Sequence, residues 1–249
     1  MSWVRKLHKW ASVLVGLQLF LWVASGLYFN LMDHTKAAGH TYFHHEHGPV
    51  VIDYIKLVEP KAVLENNPPS VSISVISLLN KPYYLLTHQQ GLYRHFKNDY
   101  SLVDGVSGER VQIDMDFASQ LAQASYAGEA PIASVQLLVP PLDDFPKQQN
   151  VTWQVNFADD IATSVYVEAG SGRIVGHSDQ HKRLADIFFM LHFMDYTNQG
   201  SFNNIQIMLL AFIGLWLSAS GSIWTVDMLL RRKYRLKLTA KKPRLRSTK

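Results

Sequence analysis

From Trp10 to Met32 the chain runs for 23 residues without a charge. A helix rising ~1.5 Å per residue crosses a hydrocarbon core of ~30 Å over that length. Any fold must therefore place this segment in apolar surroundings. Its entrance carries Arg5, Lys6 and Lys9, with His8 among them. Lys and Arg at the mouth of an apolar helix read as interfacial anchors, whereas a histidine there is either a solvated interfacial group or a functional one. A second apolar run, Ile205 to Leu230, ends at Arg231-Arg232-Lys233, and Asp227 lies close enough to that end to reach the arginines or water.

The charges sort by position. Three basic residues precede the first run and ten follow the second, whereas residues 33–183 hold 17 Asp and Glu against 11 Lys and Arg. Basic flanks stay in the cytoplasm, so both termini are expected there and the acidic middle is expected to be translocated. The basic tail reads as a topology and lipid-headgroup feature rather than a nucleic-acid one. A mean hydropathy of −0.04 over 249 residues is too polar for a many-helix bundle and leaves room for about one soluble domain between the spans. Ala24-Ser25-Gly26 is a passable signal-peptide cleavage site, but the apolar run exceeds an h-region of ~7–15 residues and a second span follows, so retention as an anchor is expected. The chain has no cysteine, which excludes disulfides, thiolate-ligated clusters and covalent CxxCH haem attachment.

Antiparallel spans with their basic ends level would set Ser12 and Gly16 against Ser218 and Ser222, with Gly214 and Gly221 nearby. Small residues at one level let helix backbones approach. The same slot, one turn from His8, leaves room for a flat macrocycle. Spacing alone leaves both readings open.

Between the spans the pattern is of strands and one helix. Val71–Ser77 alternates apolar and polar, and Tyr83–Thr87 with Leu92–Phe96 flank a hairpin composition. Asp116–Tyr126 has apolar residues at helical spacing behind an acidic cap. Val135–Val139, Val151–Phe157, Ala162–Glu168 and Arg173–His177 read as further strands. Leu102-Val-Asp-Gly-Val-Ser-Gly-Glu-Arg-Val111 matches Tyr166-Val-Glu-Ala-Gly-Ser-Gly-Arg-Ile-Val175 at an offset of 64 residues. Two copies of one unit imply an antiparallel sheet covered on one face by helix.

Val151-Thr-Trp-Gln-Val-Asn-Phe157 through Val165-Tyr-Val-Glu-Ala-Gly-Ser-Gly-Arg-Ile-Val175 is similar to the PepSY domain. The opening Arg5-Lys-Leu-His-Lys-Trp10, Gly16 and Ala24-Ser-Gly26 resemble the first helix of PepSY-associated transmembrane proteins, and Asp186-Ile-Phe-Phe-Met-Leu-His192 resembles their Leu-His segment. The resemblance implies a bacterial inner-membrane protein with a periplasmic PepSY-like domain. It also implies histidines serving haem b, and reduction of ferric iron outside in support of ferrous uptake. The larger reductases of the family have four or more spans where this chain has two. His192 is followed by Phe193 rather than Gly, which leaves the number of haems and the route of electron input open.

On that implication His8 and His192 are axial ligands, and Ser12 and Gly16 line the slot. Arg5 and Lys9 at one end, and Lys182 and Arg183 at the other, meet the propionates. Each histidine lies near one face of the bilayer, so the two do not share an iron within one chain. A homodimer forming a four-helix bundle supplies the second ligand from the symmetry mate, or His34 supplies it at the outer site. The plainer reading of each is an interfacial, hydrogen-bonded histidine. His40, His44, His45 and His47 suit a borderline metal such as ferrous iron, copper or zinc, and either hold the iron substrate or form a solvated linker.

The expected class is membrane α+β. Residues 1–32 form the first span, 33–182 the PepSY-like domain, 183–202 an interfacial helix and turn, 203–230 the second span and 231–249 a basic tail. Expected partners are the lipid bilayer, a quinol or cytoplasmic electron donor and a ferrous iron transporter, with no nucleic acid. The alternative is a non-redox, membrane-tethered module that binds a partner protein or a metal. No nucleotide-binding glycine loop, HExxH motif or hydrolase elbow is present.

Overall fold

A computed structural model describes residues 2–44, 52–197 and 203–231. The chain divides into two units, one of residues 1–20 with 205–249 and one of residues 21–204. Helix α1, Ser2–Leu31, begins in the first unit and ends in the second. Helix α6, Ile205–Leu230, belongs to the first. Both are long and apolar enough to cross a membrane. Phe20, Phe212 and Leu215 are 67%, 71% and 68% exposed. Apolar surface of that extent calls for lipid or another protein to cover it. At the end of α6 Asp227 accepts from Arg231 at 2.6 Å, the pairing expected of a carboxylate so placed.

In the second unit two copies of one motif follow each other. Helix α3 (Pro60–Glu65) precedes strands β1 (Ser72–Leu78), β2 (Lys81–Gln89), β3 (Asp99–Asp104) and β4 (Arg110–Val111), which form one antiparallel sheet in chain order. Helix α4 (Met115–Ser125) precedes β5 (Ile132–Leu138), β6 (Thr152–Phe157), β7 (Ser164–Glu168) and β8 (Ile174–Ser178), which form a second sheet in the same order. The sequence repeat is reproduced bond for bond at its turns. Asp104 N donates to Glu109 O at 2.8 Å and Glu168 N to Arg173 O at 2.9 Å, while Gly108 N and Gly172 N donate back to Asp104 O and Glu168 O, both at 2.9 Å. Gly108 and Gly172 carry φ of 74° and 72°, the left-handed position where an L side chain is strained and glycine is not.

Two expectations are corrected. The repeats build two four-stranded sheets rather than one. Leu92–Phe96 is not a strand: Asn98 ties that segment into a loop by accepting from Gly91 N and donating to Arg94 and Phe96 carbonyls, so β2 pairs with Asp99–Asp104 instead.

The core explains the layering. Tyr83 and Leu102 of the first sheet join Val155, Phe157, Val165 and Val167 of the second around Ala118, Leu121 and Ala122 of α4. Alternate residues Tyr84, Leu86 and Val103 face the other way, onto Val63 of α3. β7 is buried on both faces. Its apolar side enters the core, while on its polar side Ser164, and Tyr166 through Asp144, fix the next helix, α5 (Gln180–Phe193), by way of Arg183.

Candidate functional site

α5 carries His192. Asp179 caps its start, accepting from Lys182 N at 2.8 Å, and also receives the Thr41 hydroxyl at 3.0 Å. Met194 ends it in the left-handed conformation, its N–H returning to Met190 O. The free carbonyls of the last turn find partners: Trp22 Nε1 donates to His192 O at 2.6 Å and Asn204 Nδ2 to Phe193 O at 2.8 Å. Tyr28 stacks on Phe188 at 3.9 Å, and Phe29 meets the His192 ring edge-on at 5.4 Å. Ser25 Oγ lies 2.9 Å from His192 Nδ1. Trp22, Ser25 and Phe29 form one stripe of α1 at i, i+3 and i+7, with Trp22 holding the His192 backbone and Ser25 and Phe29 meeting its ring.

In the other unit His8 lies against α6. Its Nδ1 is 3.2 Å from Ser220 Oγ, and Trp216 and Trp224 stand one turn to either side with ring centroids 6.0 Å away. The histidine therefore faces a Trp-Ser-Trp ladder at i, i+4, i+8. This register differs from the one the span ends imply: His8 meets Ser220 and Gly221, more than one turn from the expected level. Ser12 is consequently exposed, and a Cβ on Gly16 or on Gly214 would meet nothing within 4 Å. Those small residues do not close the helices on each other within the chain. Lys9 is exposed, and the Arg5 side chain lies outside the described features.

The remaining sequence candidates have other tasks. Lys182 and Arg183 anchor the first turn of α5 rather than stand beside His192. Lys182 Nζ donates to Asp144 O at 3.0 Å and Asp186 Oδ2 at 2.5 Å, and Arg183 to Asp144 Oδ2 at 3.1 Å, Ser164 Oγ at 3.0 Å and Ala162 O at 3.0 Å. Burial raises the Asp144 carboxyl, but Ser178, Arg183 and the Tyr166 hydroxyl together outweigh it and hold the group below the usual carboxylate range. Burial and then Asp144 push the Tyr166 hydroxyl upward. His34 is exposed on the short helix α2, His34–Ala37, which packs on α5. His40 stacks on Phe43 at 4.8 Å, and His44 N donates to Ser125 O at 2.9 Å. His45 and His47 lie outside the described residues. Among the described residues no three metal-ligating side chains converge.

Residues 39–44 form a strap over β8. Thr41 reaches Asp179, Phe43 bridges to Tyr126, and Gly39, at φ 77°, passes so close to the His177 carbonyl that a Cβ would collide with it. His177 beneath is 1% exposed, with Nε2 2.6 Å from Ser125 Oγ. Burial, then the neighbouring His40, lower it to about 4, with Asp179 opposing. Beside α5 lies a cavity of about 480 Å³, lined by Arg94 and Phe145 from loops and by Lys182, Phe189 and Met190 from α5 itself.

Sequence reasoning missed Ser25, Ser220, Trp22, Trp216 and Trp224. Ser25 stands in the sequence only within the Ala24-Ser25-Gly26 stretch, and Ser220 carries no signal of its own.

His8 and His192 thus share one arrangement: half-buried on or against an apolar helix, Nδ1 beside a serine hydroxyl, Nε2 without a bond among the described residues. A neutral imidazole so held fits the axial position of a metal macrocycle, because the engaged nitrogen orients the ring and the other presents its lone pair. Compared with family models, curated proteins and solved structures, the chain has no match.

Proposed function

We propose that the chain is a haem-b protein of the bacterial inner membrane that passes electrons to ferric iron outside, supporting ferrous uptake. The observation that carries this reading is the pair of histidines, His8 on one apolar helix and His192 against the same helix, each held through Nδ1 with Nε2 unbonded among the described residues. Haem, when bound, supplies reversible one-electron transfer, and ferric iron is its substrate. His8 and His192 would hold the group, with Trp216 and Trp224 packed beside one ring and Phe29 beside the other. Exposed Lys9 is free to meet a propionate, and the open surface beside Ser12, Gly16 and Gly214 leaves room for a flat ligand or for a second copy. A homodimer completes each site with the partner copy's histidine. The paired strand-turn-strand repeats support the PepSY-like reading of the sheet domain, and the basic ends support cytoplasmic termini.

Purified protein should show a Soret band that shifts on dithionite reduction. His8→Ala and His192→Ala should each lower haem content or change the low-spin spectrum. His88→Ala should not, because His88 already has Nδ1 3.0 Å from Pro69 O and Nε2 2.8 Å from Ser101 Oγ. Colourless protein would sink the reading in favour of a non-redox binding module, for which the cavity beside α5 is the supporting observation.

A further inference from the structure

The two serines decide which histidine nitrogen carries the proton. A hydroxyl has one hydrogen to donate. Ser25 Oγ lies 2.6 Å from Leu21 O, with a longer contact of 3.3 Å to Trp22 O. Two acceptor oxygens do not approach to 2.6 Å unless a proton lies between them. The Ser25 hydrogen is therefore committed to its own helix, and only lone pairs face His192 Nδ1 at 2.9 Å. Nδ1 must then be the donor. In the neutral form of the ring, a proton on Nδ1 leaves Nε2 with its lone pair.

The same chain of donors recurs at His8 in looser form. Ser220 Oγ donates to Leu217 O at 3.1 Å and stands 3.2 Å from His8 Nδ1. Ser25 is 1% exposed whereas Ser220 is only half-buried. The His192 backbone is also fixed through the Trp22 indole.

We propose that Ser25 and Ser220 are positioning residues that fix both histidines in the Nδ1–H tautomer, presenting Nε2 as the lone-pair donor, with Ser25 the stricter of the two. The purpose of this device rests on the haem reading, but its test does not. Haem-free, full-length protein labelled with 15N-histidine in lipid nanodiscs should show His192 with a protonated Nδ1 and a bare Nε2, assigned by its loss in His192→Ala. In Ser25→Ala the proton should redistribute toward Nε2, and Ser25→Thr should restore the original form. Ser220→Ala should shift the His8 signal less. On loading, Ser25→Ala should weaken haem affinity by about 10–100-fold, with Ser220→Ala at the low end of that range.

A wild-type His192 with its proton on Nε2 overturns the inference without any variant having to fold. So does a Ser25→Ala protein whose tautomer is unchanged. Failure of the wild type to bind haem would instead overturn the function proposed above, with the tautomer still read directly.

Discussion

His177 makes the sheet domain acid-sensitive in a defined window. Its ring is buried under the strap of residues 39–44, and its pKa falls from the ordinary 6.5 to about 4 in the fold. The folded state therefore binds fewer protons than the opened state between those values. Stability is fully present above pH 6.5 and is lost as pH falls toward 4. A difference of this size is worth about 3 kcal/mol in total and about 2 kcal/mol by pH 5. Asp144, held below its ordinary 3.8, gives up its own contribution only below that value, outside the window.

Amide hydrogen exchange of the full-length protein in nanodiscs reports the opening directly. The His44 amide, bonded to Ser125 O at 2.9 Å, should lose protection by about 20-fold between pH 7 and pH 5 after correction for intrinsic exchange. His177→Gln keeps a group able to reach Ser125 but does not titrate, so its protection should be nearly flat over the same range. Unchanged wild-type protection at pH 5, or an equal fall in His177→Gln, would refute the reasoning.

Gly39→Ala should open the same strap at neutral pH. The left-handed backbone costs about 1–2 kcal/mol for an L side chain, and the collision with the His177 carbonyl adds to it; greater exchange at His44 than in wild type is the expected reading. Replacing His40, His44, His45 and His47 together with Ala should raise the apparent KM for ferric iron more than it lowers kcat, with haem content and reduction of a dye acceptor intact. Loss of haem in that variant would place the cluster in the cofactor site instead.

Local signals were the legible ones. The acidic cap expected ahead of the helical spacing is Asp114, which starts α4 by accepting from Phe117 N, and the Ser-Gly turns of the repeat are readable because Gly108 and Gly172 sit at φ 74° and 72°. The start of α5 behind Asp179 was not read, the helix being expected from residue 183. The segment 92–96 was misread because its aromatics resemble a strand, while Asn98 and Asn150 bind its carbonyls from the side. Ser25 and Ser220 could not be recognised as partners from spacing. They act across sequence separations of 167 and 212 residues, and a serine in an apolar helix that bonds its own i−3 or i−4 carbonyl looks like any other small residue.

The histidines can be sorted by what becomes of their ring nitrogens. His88 has both bonded, which locks it between Pro69 and Ser101 and leaves nothing to offer a ligand. His177 is wholly enclosed, so its second nitrogen is unbonded but unreachable, and the result is a depressed pKa rather than a site. His8 and His192 are neither: one nitrogen is held, the other is unbonded among the described residues, and the ring is only half covered by the chain. In water such a nitrogen would be solvated at no cost. If lipid covers the apolar side chains of these helices, water is scarce beside them, and an unmet polar group costs about 1–3 kcal/mol. A plain interfacial histidine has no need of a second group to fix its tautomer. On the function proposed above, the serine at each site would turn the imidazole so that its other nitrogen offers a lone pair to an iron.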